Sequence, residues 1–197
     1  MRSRTILEVR ELYRTRTDER IKFLRNIGLR IHRSMIFKND YVRIIALGGF
    51  QEVGRSAILI ETPESRVLLD AGIKPTSNGD EFPYFDIGDF DVDNLDAVII
   101  THAHLDHCGA LPFLYKYGYR GPVYLTEPTL HLMKLLQEDY LRIASRESRH
   151  LPYSHKDIVE EILRAYTLSY GEVTDISPDL SLIHISEPTR PRLISYA

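Results

Sequence analysis

Three imidazoles and a carboxylate fall within six residues, His102-Ala103-His104-Leu105-Asp106-His107. Neutral imidazole nitrogens and carboxylate oxygens are the donors that suit zinc and similar borderline divalent cations. In an extended segment His102 and His104, two apart, point to one side and can hold one ion. Asp106 and His107, just past the bend, can reach a second. Such a pair of ions generates hydroxide at neutral pH and neutralises charge on a phosphoryl group during in-line displacement. A His-rich loop, or a set of hydrogen-bonded core histidines, is the competing reading of the same residues.

The elements around the cluster favour the metal. It follows Ala97-Val98-Ile99-Ile100-Thr101, an apolar run that reads as a buried strand, so the histidines stand at a strand's carboxyl end. Upstream, Val42 to Leu47, Ser56 to Thr62 and Arg66 to Gly72 read as strands, closed by Gly48-Gly49, by Pro63-Glu64-Ser65 and by Asp70 with its following glycine. Downstream, residues 109–117 read as a helix stopped by Gly118, and Pro122 to Thr126 as a short strand. Residues 128–145 read as a helix capped by Thr126 or Thr129, with Leu132, Leu135, Leu136, Tyr140 and Ile143 on its buried side. Ser154 and Asp157 open another helix, and Thr167 to Val173 reads as a strand and turn. Strands and helices alternate, which makes the chain α/β or mixed.

The 197 residues fit one domain with enough apolar side chains for a core, and no apolar run approaches a membrane span. The single cysteine, Cys108, excludes an internal disulfide framework and suits a reducing compartment; with no secretory signal visible, a soluble cytoplasmic protein is expected. Cys108 itself reads either as a thiolate ligand or as a small buried residue. Charge is uneven. Residues 1–40 hold eleven Lys/Arg against five Asp/Glu, and residues 75–115 hold eight acids and no Lys or Arg. The basic arm either tracks phosphates or is a solvated helix face. The acids either surround a cation site or form an exposed loop.

Asp70 after one strand and His102-x-His104-x-Asp106-His107 after another resemble the metallo-β-lactamase fold. Leu47-Gly48-Gly49-Phe50-Gln51-Glu52-Val53-Gly54-Arg55-Ser56 resembles the opening loop of the β-CASP nucleases. His102-Ala103-His104-Leu105-Asp106-His107-Cys108-Gly109-Ala110-Leu111-Pro112 resembles their cleavage-and-polyadenylation branch. With Arg120-Gly121-Pro122-Val123-Tyr124 and the helical arm, the chain is similar to archaeal cleavage-and-polyadenylation-specificity-factor-like ribonucleases from about residue 10 to 180.

The resemblance implies an αββα sandwich, present as its N-terminal half. Residues 1–40 form a helical arm that would follow RNA-binding KH domains, and 41–180 form the front of the metallo-β-lactamase domain. Residues 181–197 lack the family pattern and are expected to be foreign to the domain. It also implies two zinc ions per complete domain, with His102, His104, Asp106 and His107 as ligands. Asp106 would orient the nucleophilic water, and Asp70 would fix a ligand histidine or its loop, although it also reads as a turn residue. Gly49, Arg55 and Ser56 would meet substrate RNA. RNA is the implied partner, in 3′-end processing or transcription termination, with a homodimer in the full-length protein and no membrane association. Four ligands shared between two ions leave both sites short of the usual three per zinc, so the chain is expected to be inactive alone. His131, His150 and His155 read as surface residues, and His184 lacks the glycines that flank the family's next ligand. A small-molecule hydrolase of the same fold (a thioesterase or lactonase) and a non-catalytic RNA-binding or assembly fragment are the alternatives.

Overall fold

Alternating burial along short aliphatic runs builds the strands. In β2 (Ala57–Glu61) every second residue is buried, as a strand with one face on a core requires. A computed structural model describes residues 41–75, 81–149 and 151–183, together with Ile21 and Arg25, both helical. The rest of the helical arm, and all but residues 181–183 of the atypical tail, lie outside the described residues.

β1 (Arg43–Gly48), β2, β3 (Arg66–Leu69), β4 (Ala97–Ile99), β5 (Val123–Thr126) and β6 (Ala165–Leu168) form one sheet in that order. The first three pair antiparallel, and β3 through β6 pair parallel. Between β4 and β5 lie α1 (Leu105–Cys108) and α2 (Leu111–Lys116), the latter followed by Gly118 at φ +115°, where a side chain would be strained. Between β5 and β6 lie α3 (Glu127–Arg146) and α4 (His155–Ile162). This is α/β architecture with a central mixed sheet.

The sheet has a partner on each side. Leu59, Leu68, Val98, Val123 and Leu125 share one core with Leu111, Leu114, Met133 and Ile158 of the helices. Each of these side chains is essentially fully buried, worth roughly 1.5–3 kcal/mol relative to exposure. Val67, Ala97 and Ile99 point the other way and meet Ile176, Leu180 and Leu182. Those come from a separate hairpin of β7 (Val173–Ser177) and β8 (Leu180–Ile183). Residues 181–183 of the tail are thus paired β-structure.

Register is fixed electrostatically at one end. Glu61 is fully buried and lies opposite both Arg43 and Arg66, with ion pairs of 2.5 and 2.7 Å. A one-residue slip of β2 would turn the carboxylate to the opposite face and break both pairs.

One expected face is right only in part: Tyr140 is buried and Leu136 packs against the core, but Leu132, Leu135 and Ile143 are exposed. α3 buries Thr129, Met133, Gln137, Tyr140 and Ala144, whereas Leu132 is 53% and Leu135 61% exposed. The small Thr129 and Ala144 let the helix approach closely, and the polar members find partners: Tyr140 donates to Glu81 at 2.7 Å and Gln137 to a carbonyl of α1.

After β3 the chain runs through Asp70 to Ile73 and crosses α1 closely. Ala71 N–H donates to His107 carbonyl, Ile73 N–H to Leu105 carbonyl, and Ser56 N–H to Asp106 carbonyl, each at 2.8 Å. A Cβ on Gly72 would stand 1.6 Å from the Asp106 carbonyl oxygen. Gly72→Ala is therefore expected to lower stability by about 3 kcal/mol, read as a shift in urea midpoint. An unchanged midpoint would show that this crossing is not tight.

Candidate metal centre

Leu69 and Ile99 are partners in the parallel β3–β4 pair, so Asp70 and Thr101 emerge side by side at the sheet's carboxyl edge. Crevices at such edges are the usual ligand sites of open α/β sheets. Asp70 takes φ +58°, a conformation that aspartate tolerates better than most residues. It is held there by its own N–H to Ile99 carbonyl (2.9 Å) and by Thr101 N–H to its Oδ1 (2.8 Å).

That placement organises two histidines. Asp70 Oδ2 accepts from His107 Nδ1 at 2.7 Å, which leaves His107 Nε2 with a free lone pair. The Thr101 hydroxyl lies 3.0 Å from both Asp70 oxygens and 3.0 Å from His102 Nδ1. With Nδ1–H donating to Thr101, and Thr101 donating to Asp70, His102 also presents Nε2 as an acceptor. Thr101 was not expected as a site residue. Its position at the strand end, next to the first histidine, is the signal that identifies it.

The side-chain atoms that could ligate come in two pairs, the first hydrogen-bonded and the second within ion-pair distance. His102 Nε2 and His104 Nδ1 are 3.1 Å apart, and His107 Nε2 and Asp106 Oδ2 are 3.7 Å apart. Two nitrogens bound tetrahedrally to one zinc stand about 3.3 Å from each other, so both spacings suit a shared divalent ion. The His102 and His107 rings lie 4.0 Å apart at their centroids, placing the pairs side by side. Among the described residues no three His, Cys, Asp or Glu side chains converge on one ion position. Each pair is an incomplete shell.

Burial, and then the neighbouring His107 and His104, hold the His102 imidazole below its ordinary pKa, against the opposing pull of Asp70 and Asp106. The neutral ring at pH 7 is the ligating form. Cys108 points away from the donors: it is fully buried, its thiol lies 3.1 Å from Ala103 carbonyl, and burial pushes its pKa well up.

The loop after β1 lies against this turn. Gly49 sits at φ +80°, exposed, and Ser56 reaches α1 through its backbone N–H. The Arg55 guanidinium is turned inward and 3% exposed. It donates to Glu52 (2.6 Å), Tyr84 hydroxyl (2.8 Å) and Phe82 carbonyl (3.1 Å), and stacks over the Tyr84 ring. Its fork braces the loop rather than facing solvent. Arg55 first, and then Lys74, draw the Glu52 carboxyl down to about 2, so this brace stays charged through ordinary pH. His131 is exposed, and His155 is exposed beside Glu138. His150 and His184 lie outside the described residues.

Known proteins are similar to this chain over most of its length. The chain is 50% identical over 182 residues to transcription termination factor FttA of Methanothermobacter thermautotrophicus, covering 91% of this chain and 29% of that protein. It is 49% identical over 184 residues to the protein of the same name from Methanocaldococcus jannaschii, covering 92% and 29%. With the Lokiarchaeum sp. protein of that name it shares 49% over 180 residues, covering 91% and 28%. The chain thus spans under a third of the length of these relatives. Residues 51–191 match the model of the metallo-beta-lactamase superfamily. With most of its length inside that match, the chain belongs to the metallo-beta-lactamase superfamily.

Proposed function

We propose that this chain is the front part of a zinc-dependent β-CASP ribonuclease that cuts RNA phosphodiester bonds in transcription termination or 3′-end processing. The observation that carries the reading is the pair of donor couples, His102/His104 and Asp106/His107, braced from behind by the single carboxylate Asp70. The name of the relatives, transcription termination factor, supports RNA as partner.

His102 and His104 would hold one ion and Asp106 with His107 the other. When bound, such a pair supplies Lewis acidity at a phosphoryl group. Asp106, its side chain 37% exposed, is open enough to orient an attacking water. Asp70 fixes the His107 tautomer directly and that of His102 through Thr101. Gly49 and Ser56 belong to a loop where backbone can approach RNA, and Arg55 holds that loop in shape. Each ion would then have two ligands, short of the usual three, and on that ground the chain is read as inactive by itself. The complete protein is read as a cytoplasmic homodimer. No described helix is long and apolar enough to cross a membrane.

Metal analysis of the purified chain is expected to find bound zinc that is lost in the His102→Ala/His104→Ala variant. Absence of metal from the wild-type chain would overturn the ligand assignment. Asp70→Asn is expected to weaken zinc binding by about 10–100-fold while the circular dichroism stays native, because the His107 N–H loses its carboxylate. In the full-length protein, Asp106→Asn is expected to slow cleavage of single-stranded RNA by at least ~100-fold. Hydrolysis of a thioester or lactone, with no RNA cleavage by the wild-type protein, would replace the ribonuclease with a small-molecule hydrolase.

A further inference from the structure

All four carbonyls of α1 (Leu105–Cys108) are met by donors. Three donors from outside the turn, the N–H groups of Ile73, Ser56 and Ala71, reach Leu105, Asp106 and His107. The fourth carbonyl, that of Cys108, accepts from a side chain: Gln137 Nε2 of α3, at 3.0 Å. Gln137 is fully buried, and its amide lies beside the equally buried carboxyl of Glu161 on α4. Around them Gln137 Oε1, both Glu161 oxygens and the Tyr153 hydroxyl make no hydrogen bond. The unmet atoms are three acceptors and one hydroxyl.

A charged carboxylate there would have no cation to offset it, since the structure shows no Lys, Arg or His paired with Glu161 among the described residues. The groups that face it are Gln137 from α3, Tyr153 from the segment before α4, Tyr115 from α2 and Cys108 from α1. The nearby Arg164 is committed to Glu160 at 2.5 Å. A protonated carboxyl adds a second O–H, beside that of Tyr153, to a cluster rich in unmet acceptors.

We propose that Glu161 is a positioning residue that stays neutral in the core and, with Gln137 and Tyr153, forms a polar strut holding the metal-binding turn from behind through the Cys108 carbonyl. Its role in the site rests on the metal reading above; its protonation does not. Burial holds the carboxyl well above the ordinary glutamate value, against the opposing pull of the Gln137 amide. The sign follows: between the unfolded and folded pKa values the folded chain keeps a proton that the unfolded chain releases, so stability falls as pH rises.

The test uses the full chain. Carboxyl-carbon NMR of 13C-Glu-labelled protein is expected to show Glu161 still protonated at pH 7. From pH 5 to 7 the wild-type unfolding constant is expected to rise up to tenfold per pH unit more than that of Glu161→Gln, a neutral isostere expected to fold normally. Gln137→Met removes the donor to Cys108. It is expected to move the amide resonances of His107, Cys108 and Gly109 and to weaken cobalt(II) binding about tenfold, with Glu161→Gln near wild type. A Glu161 carboxyl titrating near 4.5, or unmoved α1 amide resonances in Gln137→Met, would overturn the strut. A wild-type chain that binds no cobalt would overturn only its role in the metal site.

Discussion

The turn Leu105–Cys108 is four residues long, too short to hold helical geometry by its own hydrogen bonds. Yet it carries two of the donors, and their spacing matters to a few tenths of an ångström. What holds it is the segment leaving β3, with Ser56 beside it, which together offer N–H groups to three successive carbonyls. The sheet thus extends its hydrogen bonding past the ends of its strands. Gly72 is where the two chains come closest, and no side chain fits between them. The rest of the site inherits its geometry from this crossing.

Asp70 shows how one residue serves both backbone and chemistry. Parallel pairing of β3 with β4 places it beside Thr101, and its left-handed backbone turns the carboxylate toward the histidines. Two imidazole tautomers then follow from a single negative charge, one directly and one through a hydroxyl. The conformational cost at Asp70 is offset by the three donors that its carboxylate accepts from, the Thr101 N–H, the Thr101 hydroxyl and His107 Nδ1.

Much of this was legible in the residues. The apolar run ending at Thr101, the carboxylate at the end of β3 and the His-Asp spacing located the sheet edge and the side chains that gather there. Hydrophobic periodicity found α3 and placed Leu136 and Tyr140 on its inner side, but misplaced Leu132, Leu135 and Ile143. Periodicity identifies an apolar stripe, whereas docking also rewards small residues and polar groups with partners, as at Ala144 and Gln137. Arg55 is expected from the resemblance to meet substrate RNA, and a sequence does not show that Glu52, Phe82 and Tyr84 already surround it. The role of Thr101 depends on a neighbour 31 positions away in the chain, which only strand pairing supplies. The buried Glu161 looks like any helical surface acid until α3 is laid against it.

The single cysteine gives the molecule a built-in reporter. Cys108 ends the metal-binding turn, is sealed in the core, and carries a thiol whose ionisation burial suppresses. Alkylating reagents attack the thiolate, so the closed turn is inert to them and labelling proceeds only through openings that admit solvent. The rate at which an unmodified chain takes up such a reagent therefore measures how often the turn lets go of its scaffold, without any mutation or added probe.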